Sequence, residues 1–346
     1  MKQMIYSTLI LGFLLIFLGC NRFQTSQVTI TGQFAGNTPE VLSYTVPVNG
    51  TVFEGFYEEV TLDSLGGFEI RLELEKPALI NFRYFDSPSL IVEQGKHYDI
   101  ILNLSPDQKL SIEGNLGKVQ EFYTGLMHTH PRSCIFSFGS HDPSEYLEIR
   151  RELQAELQKE LNGFGEFLTM GEISEDVYAL LVADRNVYYG TAQAVLASMN
   201  HLRINGDGSS TPDDLMEIWE EAISMVSSDQ PFFLRSLYAY DYLFMTFWFN
   251  LYSALGYKEV VAIRAENRSQ GLIHSNTIEL AKEYSSDMNL EFFIAAYIDQ
   301  QYRFRFFDQD LITVFEQFKT DYPQSAYTPF LEPLMQEVIE YVEKGI

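Results

Sequence analysis

The hydrophobic pattern changes its period once along the chain, near residue 117. Between residues 27 and 116, short segments such as 27–34 and 97–104 alternate polar and apolar positions, and turn residues separate them. A period of two residues is typical of β-strands with one buried face. Several short strands at regular spacing predict an antiparallel β-sandwich over residues 27–116.

Asn-Gly and Gly-Gly pairs mark turns within this predicted sandwich. Asn49 and Gly50 close the apolar segment 41–48, and Gly66 and Gly67 precede another alternating segment. Asparagine and glycine tolerate the positive φ angles that tight turns between strands require. We therefore expect a tight turn at Asn49–Gly50 and a hairpin turn at Gly66–Gly67.

From residue 117 onward, apolar residues recur every three or four positions, which is the period of an amphipathic helix. One such run follows Asp142 and Pro143, a pair typical of a helix start. The pattern thus predicts an α+β protein, with the β-sandwich followed by an all-α helical domain at residues 117–346. Further helices are predicted over residues 174–202, from 211 onward, and over 231–256, 274–287, 289–304, 309–321 and 327–344.

The most aromatic segment, residues 232–257, is interrupted by Arg235 and Asp241. Its uncharged part, residues 242–257, is shorter than the roughly 20 residues that a membrane-spanning helix needs. The segment instead predicts a buried helix at the centre of the helical domain. Its aromatic side chains could pack into the core, which the pattern favours, or line a ligand groove.

Composition and net charge indicate which kinds of molecule the protein can bind. Hydrophobic residues make up 46% of the chain and aromatic residues 14%, which is sufficient for substantial cores. The formal net charge is −25. Such a surface repels phosphate backbones, so the composition argues against a nucleic-acid partner.

The first nineteen residues carry the features of an export signal. Lys2 precedes an uncharged apolar run at residues 4–18, and the sequence FLGC ends at Cys20. This pattern resembles the lipobox of bacterial lipoproteins. The resemblance implies that residues 1–19 are a signal peptide, that Cys20 is acylated, and that residues 20–26 are a tether to the membrane. The competing interpretation is an uncleaved N-terminal anchor helix.

Lipoprotein sorting, by the same resemblance, gives an expected location. A residue other than Asp after the lipidated cysteine favours the outer membrane, and Asn21 stands there. No acidic run follows Cys20. We therefore expect a lipid anchor in the outer membrane of a Gram-negative cell envelope, with the protein facing the periplasm.

A cluster of potential metal ligands lies between the two predicted domains. Histidine and cysteine bind Zn²⁺ and copper, but the spacing here matches no standard finger or zincin motif, and a polar interdomain loop is the competing interpretation. Cys134 could instead be a reactive thiol, if Arg132 or a protonated histidine lowers its pKa, or a buried inert one. With Cys20 lipidated, Cys134 has no intramolecular disulfide partner. The candidate ligands are His128, His130, Cys134 and His141.

Catalytic motifs are missing from the sequence. It contains no Gly-x-Ser-x-Gly, no His-Glu-x-x-His and no Gly-x-x-x-x-Gly-Lys segment. The abundant carboxylates form no pair that the sequence singles out. We therefore predict neither an enzyme active site nor a cofactor.

Several segments resemble the N-terminal region of TlpA-like thiol–disulfide oxidoreductases, envelope lipoproteins of the thioredoxin superfamily. In that family a lipobox, a β-sandwich and a helical segment precede a thioredoxin domain with a Trp-Cys-x-x-Cys motif. This chain ends at Ile346, where such a domain would begin, and no residue matches the redox motif. The matching segments are ITGQFAG at 30–36, residues 60–82, 89–102 and 112–123, and FKTDYPQSAYTPFL at 318–331.

These observations predict a lipid-anchored envelope protein without a catalytic site, which acts as a binding or interaction module. The alternative is the front part of a thiol–disulfide oxidoreductase whose thioredoxin domain is lost, truncated or encoded separately. That alternative implies a thioredoxin-fold protein as partner. A third possibility is an envelope metal-binding protein that uses the residue 128–141 cluster.

Overall fold

The computed structural model describes residues 26–35, 39–83, 88–103, 110–113, 116–126, 130–131, 145–206, 208, 212–227, 230–285 and 289–345. Within these residues eight β-strands precede ten α-helices, which confirms the predicted α+β class and the order of its parts. The strands are β1 (Gln27–Ala35), β2 (Val41–Thr45), β3 (Tyr57–Thr61), β4 (Gly67–Glu73), β5 (Ala78–Asn81), β6 (Ser89–Val92), β7 (His97–Asn103) and β8 (Leu110–Glu113).

One four-stranded sheet and two two-stranded sheets make up the β region. The larger sheet has the order β4-β1-β7-β8, and the smaller ones pair β2 with β3 and β5 with β6. All pairs are antiparallel except β1 and β7, which run parallel with Ile30 opposite Tyr98. This pair departs from the predicted antiparallel arrangement. Alternation of polar and apolar residues reports which face is buried, and it contains no information on the direction of the neighbouring strand.

The two predicted turns have different outcomes. Asn49 and Gly50 both have positive φ, 49° and 77°, and a bridge between Val48 and Thr51 closes the turn as expected. Gly66 also has a positive φ, of 81°. However, β3 and β4 on either side of it pair with other strands, so this turn connects two sheets and does not close a hairpin.

Strands β5 and β6 are buried along their whole length, because helices cover them. Gln120 of the first helix shows how. Its side-chain amide accepts a hydrogen bond from the backbone N–H of Ile91 and donates one to the carbonyl of Ser89, both at 2.8 Å. These bonds satisfy polar groups at the edge of the β5–β6 pair that would otherwise be buried without partners.

The helices match most of the predicted segments. The predicted segment 231–256 begins instead with a short 3₁₀ turn at Phe233–Arg235. The helix over residues 257–270 is not indicated by the pattern, because Val260 is its only buried residue. The helices are α1 (Gly117–Thr124), α2 (Tyr146–Thr169), α3 (Glu175–Gly206), α4 (Asp213–Ser224), α5 (Ala239–Leu255), α6 (Tyr257–Gln270), α7 (Ile273–Tyr284), α8 (Leu290–Arg303), α9 (Gln309–Asp321) and α10 (Thr328–Lys344).

None of the helices that the structure describes is long and apolar enough to cross a membrane. Helix α5, which contains most of the aromatic segment, has 17 residues and carries the buried Asp241 in its first turn. Asp142 and Pro143, the predicted start of α2, lie outside the described residues.

The β region and the helical region share one hydrophobic core. The segment after the Asn49–Gly50 turn enters the helical region, where the N–H of Val52 donates to the carbonyl of Leu234 at 2.7 Å. Next along the chain, the ring of Phe56 stacks on that of Tyr327, with 5.0 Å between centroids. Contacts of this kind fix the position of the β region relative to the helical region.

A buried group of charged residues ties the helices near this junction. Arg185 is fully buried, and its Nε lies 2.6 Å from a carboxylate oxygen of Glu160. The neighbouring Asp184 accepts hydrogen bonds from the hydroxyls of Tyr123, at 3.0 Å, and Ser236, at 2.8 Å. Burial raises the pKa of Asp184, an effect that the Arg185 guanidinium opposes. Buried charges of this kind persist because each has partners.

Candidate functional site

Of the predicted metal ligands and the predicted lipidation site, only His130 lies within the described part of the chain. Its Nε2 is 2.9 Å from a carboxylate oxygen of Asp241 on α5. Over the described ranges, no group of three or more His, Cys, Asp or Glu side chains could hold a metal ion. The metal site therefore stays a prediction. The other candidates, Cys20, His128, Cys134 and His141, fall outside the described residues.

His130 and Asp241 contribute to a cavity of about 320 Å³ between the β region and the helices, here called the interface cavity. Its wall is polar for the most part. The residues that line it are Phe53, Glu54, Asn81, Ser89, His130, Leu237, Tyr238, Tyr240, Asp241 and Gln300.

Polar side chains of the interface cavity are bonded to other parts of the protein. The amide of Asn81 donates to the hydroxyl of Ser89 at 3.1 Å. The carboxylate of Glu54, on the β2–β3 connection, lies 3.3 Å from the guanidinium of Arg303 on α8. The pair of Glu54 and Arg303 therefore joins the two regions, whereas the bond between Asn81 and Ser89 lies within the β region and the pair of His130 and Asp241 within the helical region.

A second cavity, of about 490 Å³, lies within the helical region between α5, α6, α7 and α8, and is here called the helical cavity. Its volume is typical of sites that bind small molecules, which measure roughly 300–1,000 Å³. The residues that line it are Phe244, Phe247, Trp248, Leu251, Val260, Ile263, Arg264, Asn267, Arg268, Ile273, His274, Thr277, Leu280, Tyr297, Gln300, Gln301, Phe304, Phe306 and Asp308.

The aromatic residues of α5 serve both roles that the sequence left open. Phe247 is fully buried and packs on Phe293 of α8, with 6.1 Å between ring centroids. Phe244 and Trp248 are only partly buried, and they too form part of the cavity wall. The helix therefore contributes to the hydrophobic core and to the cavity at the same time.

Exposed apolar side chains border the helical cavity. Phe304 is 59% exposed, Phe306 is 53% exposed, and Ile273 at the start of α7 is also exposed. Arg305 between the two phenylalanines has a φ of 57°, a left-handed conformation that is uncommon for residues other than glycine. The two rings lie 6.3 Å apart. Exposed apolar groups next to a cavity are typical of a binding site.

His274, which is buried, lines the helical cavity. Its Nδ1 lies 2.9 Å from the hydroxyl of Tyr297, and its Nε2 lies 3.4 Å from a carboxylate oxygen of Asp308. Burial lowers the pKa of His274, although the carboxylates of Asp308 and Asp310 oppose this effect. A neutral imidazole satisfies both contacts, since it donates from Nε2 and accepts the tyrosine proton at Nδ1.

Tyr297 and Asp308 also line the helical cavity. Burial raises the pKa of Tyr297, so its hydroxyl stays protonated at neutral pH and is a poor nucleophile. The other oxygen of Asp308 accepts the backbone N–H of Leu311 at 2.8 Å and caps α9. Both oxygens of this carboxylate therefore have partners within the protein.

Arg264 and Arg268 also line the helical cavity. They are four residues apart on α6 and therefore lie on the same side of that helix. The guanidinium carbon of Arg264 is 4.8 Å from the centroid of the Trp248 ring. In the part of the chain that the structure describes, neither arginine forms an ion pair with a carboxylate.

The arginine pair is not among the site residues predicted above, although the sequence contains a signal for it. No Asp or Glu stands three or four residues before or after either arginine, the spacing at which ion pairs form along a helix. In a chain with 48 acidic residues and only 23 basic ones, this spacing is informative.

No protein-family model matches the chain, and no curated protein or solved structure matches it either. The resemblance to the N-terminal region of TlpA-like oxidoreductases therefore stays a prediction from the sequence segments.

Proposed function

We propose that the protein is a binding protein of the cell envelope whose helical region takes up a small apolar molecule. The observation that carries this proposal is the helical cavity, with its largely apolar wall and the exposed rings of Phe304 and Phe306 at its border. Such concave, mostly apolar sites with a few polar groups are the usual form of small-molecule sites. The proposal agrees in class with the binding module that the sequence predicts.

Burial of exposed apolar surface favours the binding of an apolar molecule in this cavity. Fully burying a phenylalanine side chain contributes about 1.5–3 kcal/mol, so covering these two half-exposed rings contributes roughly 1 kcal/mol for each ring. Trp248 and Ile273 offer further apolar surface to the same molecule. The rigid helices α5 and α8 carry much of the wall, so little conformational entropy is lost when the site is filled.

The test is calorimetric titration of the purified protein with 1-octanol, a neutral apolar probe. We expect saturable binding at one site. Ile263→Trp, on α6, fills the cavity from its wall and should abolish the binding. Val261→Trp is the matched control, because Val261 is exposed on the same helix and does not line the cavity.

Two results would count against the proposal. One is the absence of saturable octanol binding by the unmodified protein. The other is equal affinity of the Ile263→Trp and Val261→Trp variants, which would place the binding elsewhere on the surface.

The envelope location within this proposal rests on the lipobox and Cys20. Cells supplied with an alkyne analogue of palmitate should incorporate it into the protein, and Cys20→Ser should remove the label. Equal labelling of the Cys20→Ser variant would contradict acylation at this residue. This experiment is independent of the calorimetry, so location and ligand binding are tested separately.

A further inference from the structure

The helical cavity has a positively charged edge in a strongly acidic protein. Arg264 and Arg268 supply two of the 23 basic residues, against 48 acidic ones. Here, over the described ranges, neither arginine has a carboxylate within ion-pair distance.

The carboxylate that shares the cavity wall does not serve these arginines. Asp308 contacts His274 with one oxygen and the backbone N–H of Leu311 with the other. These contacts engage both oxygens of the carboxylate, which caps α9. The positive charge on α6 is therefore not neutralised from within the cavity.

Packing on Trp248 orients the guanidinium of Arg264 before any ligand arrives. A planar guanidinium over an aromatic ring loses part of its freedom and keeps donors at its edge for a planar anionic group. Arg268 lies in the last turn of α6, where a cation also offsets the helix dipole. The helix dipole does not account for Arg264, which lies one turn further from the end of α6.

We infer that the molecule bound in the helical cavity carries an anionic head group, a carboxylate or a phosphate, which Arg264 and Arg268 bind. The apolar part lies against Trp248 and the phenylalanines. A guanidinium pair suits either head group, because both present two oxygens in the plane of its fork. This inference rests on the proposed function and adds the chemical class of the ligand.

Net charge predicts that the protein repels anions, whereas the arginine pair predicts that the helical cavity binds them. A chain with a charge of −25 attracts cations and repels anions over its whole surface. A preference for the anionic member of a matched ligand series therefore requires a local positive site. Octanoate, octyl phosphate, 1-octanol and octylamine share one alkyl chain and differ in the head group, so they form such a series.

Calorimetric titration of the full protein with these four compounds is the test. We expect octanoate or octyl phosphate to bind about tenfold more tightly than octanol, as a charged hydrogen bond contributes, and octylamine more weakly than octanol. The better of the two anions identifies the head group. High salt should weaken anion binding and leave octanol binding unchanged.

Arg264→Met should lower the ratio of the affinity for the anion to that for octanol about tenfold, while the ratio for Arg264→Lys should fall between. Lys258→Met is the matched control, because it removes the same charge from an exposed position of α6 outside the cavity. Arg268→Met provides a second variant at the site.

Equal affinities for octanol and both anions, or no effect of Arg264→Met and Arg268→Met, would overturn the head-group inference and leave the proposed function standing. Failure of all four compounds to bind would overturn both.

Discussion

The interface cavity and the helical cavity lie on either side of Gln300, which contributes to the walls of both. The interface cavity is polar, and its side chains pair within the protein: His130 with Asp241, and Glu54 with Arg303. The helical cavity is larger and mostly apolar. Its two arginines have no carboxylate partner among the described residues.

This difference shows that the role of a polar residue beside a cavity depends on its hydrogen-bond and ion-pair partners. In the interface cavity, Glu54 of the β region pairs with Arg303 of α8, and the other polar contacts lie within one region, so these groups have a structural role. In the helical cavity, we propose that the guanidinium groups are available to a ligand. We therefore expect changes at the interface to lower stability without altering ligand affinity, and changes at the helical cavity to have the reverse effect.

The largest effect is expected from removing a ring that joins the two regions. Phe56 is fully buried between Phe292, Tyr327 and Phe330 of the helical region. Phe56→Ala leaves a cavity there and should lower the free energy of unfolding by about 3–5 kcal/mol. Urea denaturation followed by circular dichroism measures this change.

Phe304→Ala is the matched control at the border of the helical cavity. Because the ring is more than half exposed, we expect its loss to change the free energy of unfolding by no more than about 0.5 kcal/mol. It should nevertheless weaken octanol binding. If both alanine variants were equally destabilised, the proposed division between a structural and a ligand-binding cavity would be wrong.

A smaller effect is expected at Gly55, which packs directly on a buried carboxylate. A Cβ atom at this position would lie 2.5 Å from Cγ of Asp299, whose carboxylate is 2.6 Å from Nε of Arg303. Gly55→Ala must displace this ion pair and should cost about 1–3 kcal/mol of unfolding free energy. Affinity for octanol should not change.

Gly165→Ala provides the comparison, because a Cβ there meets no atom within 4 Å on helix α2. Replacing a helical glycine by alanine is expected to stabilise the protein by about 0.5–1 kcal/mol. Opposite signs for the two variants support the contact between Gly55 and Asp299, whereas a neutral Gly55→Ala would show that the interface yields easily.

The smallest effect concerns pH. Burial lowers the pKa of His274 in the folded protein below the value of about 6.5 in the unfolded chain. As the pH falls below about 6.5, the unfolded chain takes up a proton that the folded protein does not, so stability decreases. The slope from one histidine is at most about 1.4 kcal/mol per pH unit.

Urea denaturation between pH 7.5 and 5.5 measures this slope. Burial also lowers the pKa of His201, so His274→Gln should reduce the slope without removing it. An unchanged slope in the His274→Gln variant would mean that His274 takes up its proton equally in both states.

The sequence predicts the secondary structure where one face of an element is buried. The alternating strands, the Asn49–Gly50 turn and most helices follow from local pattern. Helix α6 does not, because with Val260 as its only buried residue it lacks an apolar stripe. The parallel pairing of β1 and β7 also depends on contacts between distant segments, which local alternation does not encode.

The candidate site is visible in the sequence only in part. The aromatic residues of α5 suggest a groove or a core, and the spacing around Arg264 and Arg268 indicates that they have no partner along the helix. Their meeting with Tyr297 and Phe304 of later segments is a result of tertiary packing. Of the predicted cluster of metal ligands, His130 lines the interface cavity, where it pairs with Asp241.

Crystals of the protein grown with 8-bromooctanoate would test the central claim most directly, because anomalous diffraction locates the bromine atom. We predict a bromine peak in the helical cavity near Trp248, with the carboxylate at Arg264. A bromine peak in the interface cavity beside His130, or in neither cavity, would contradict the account.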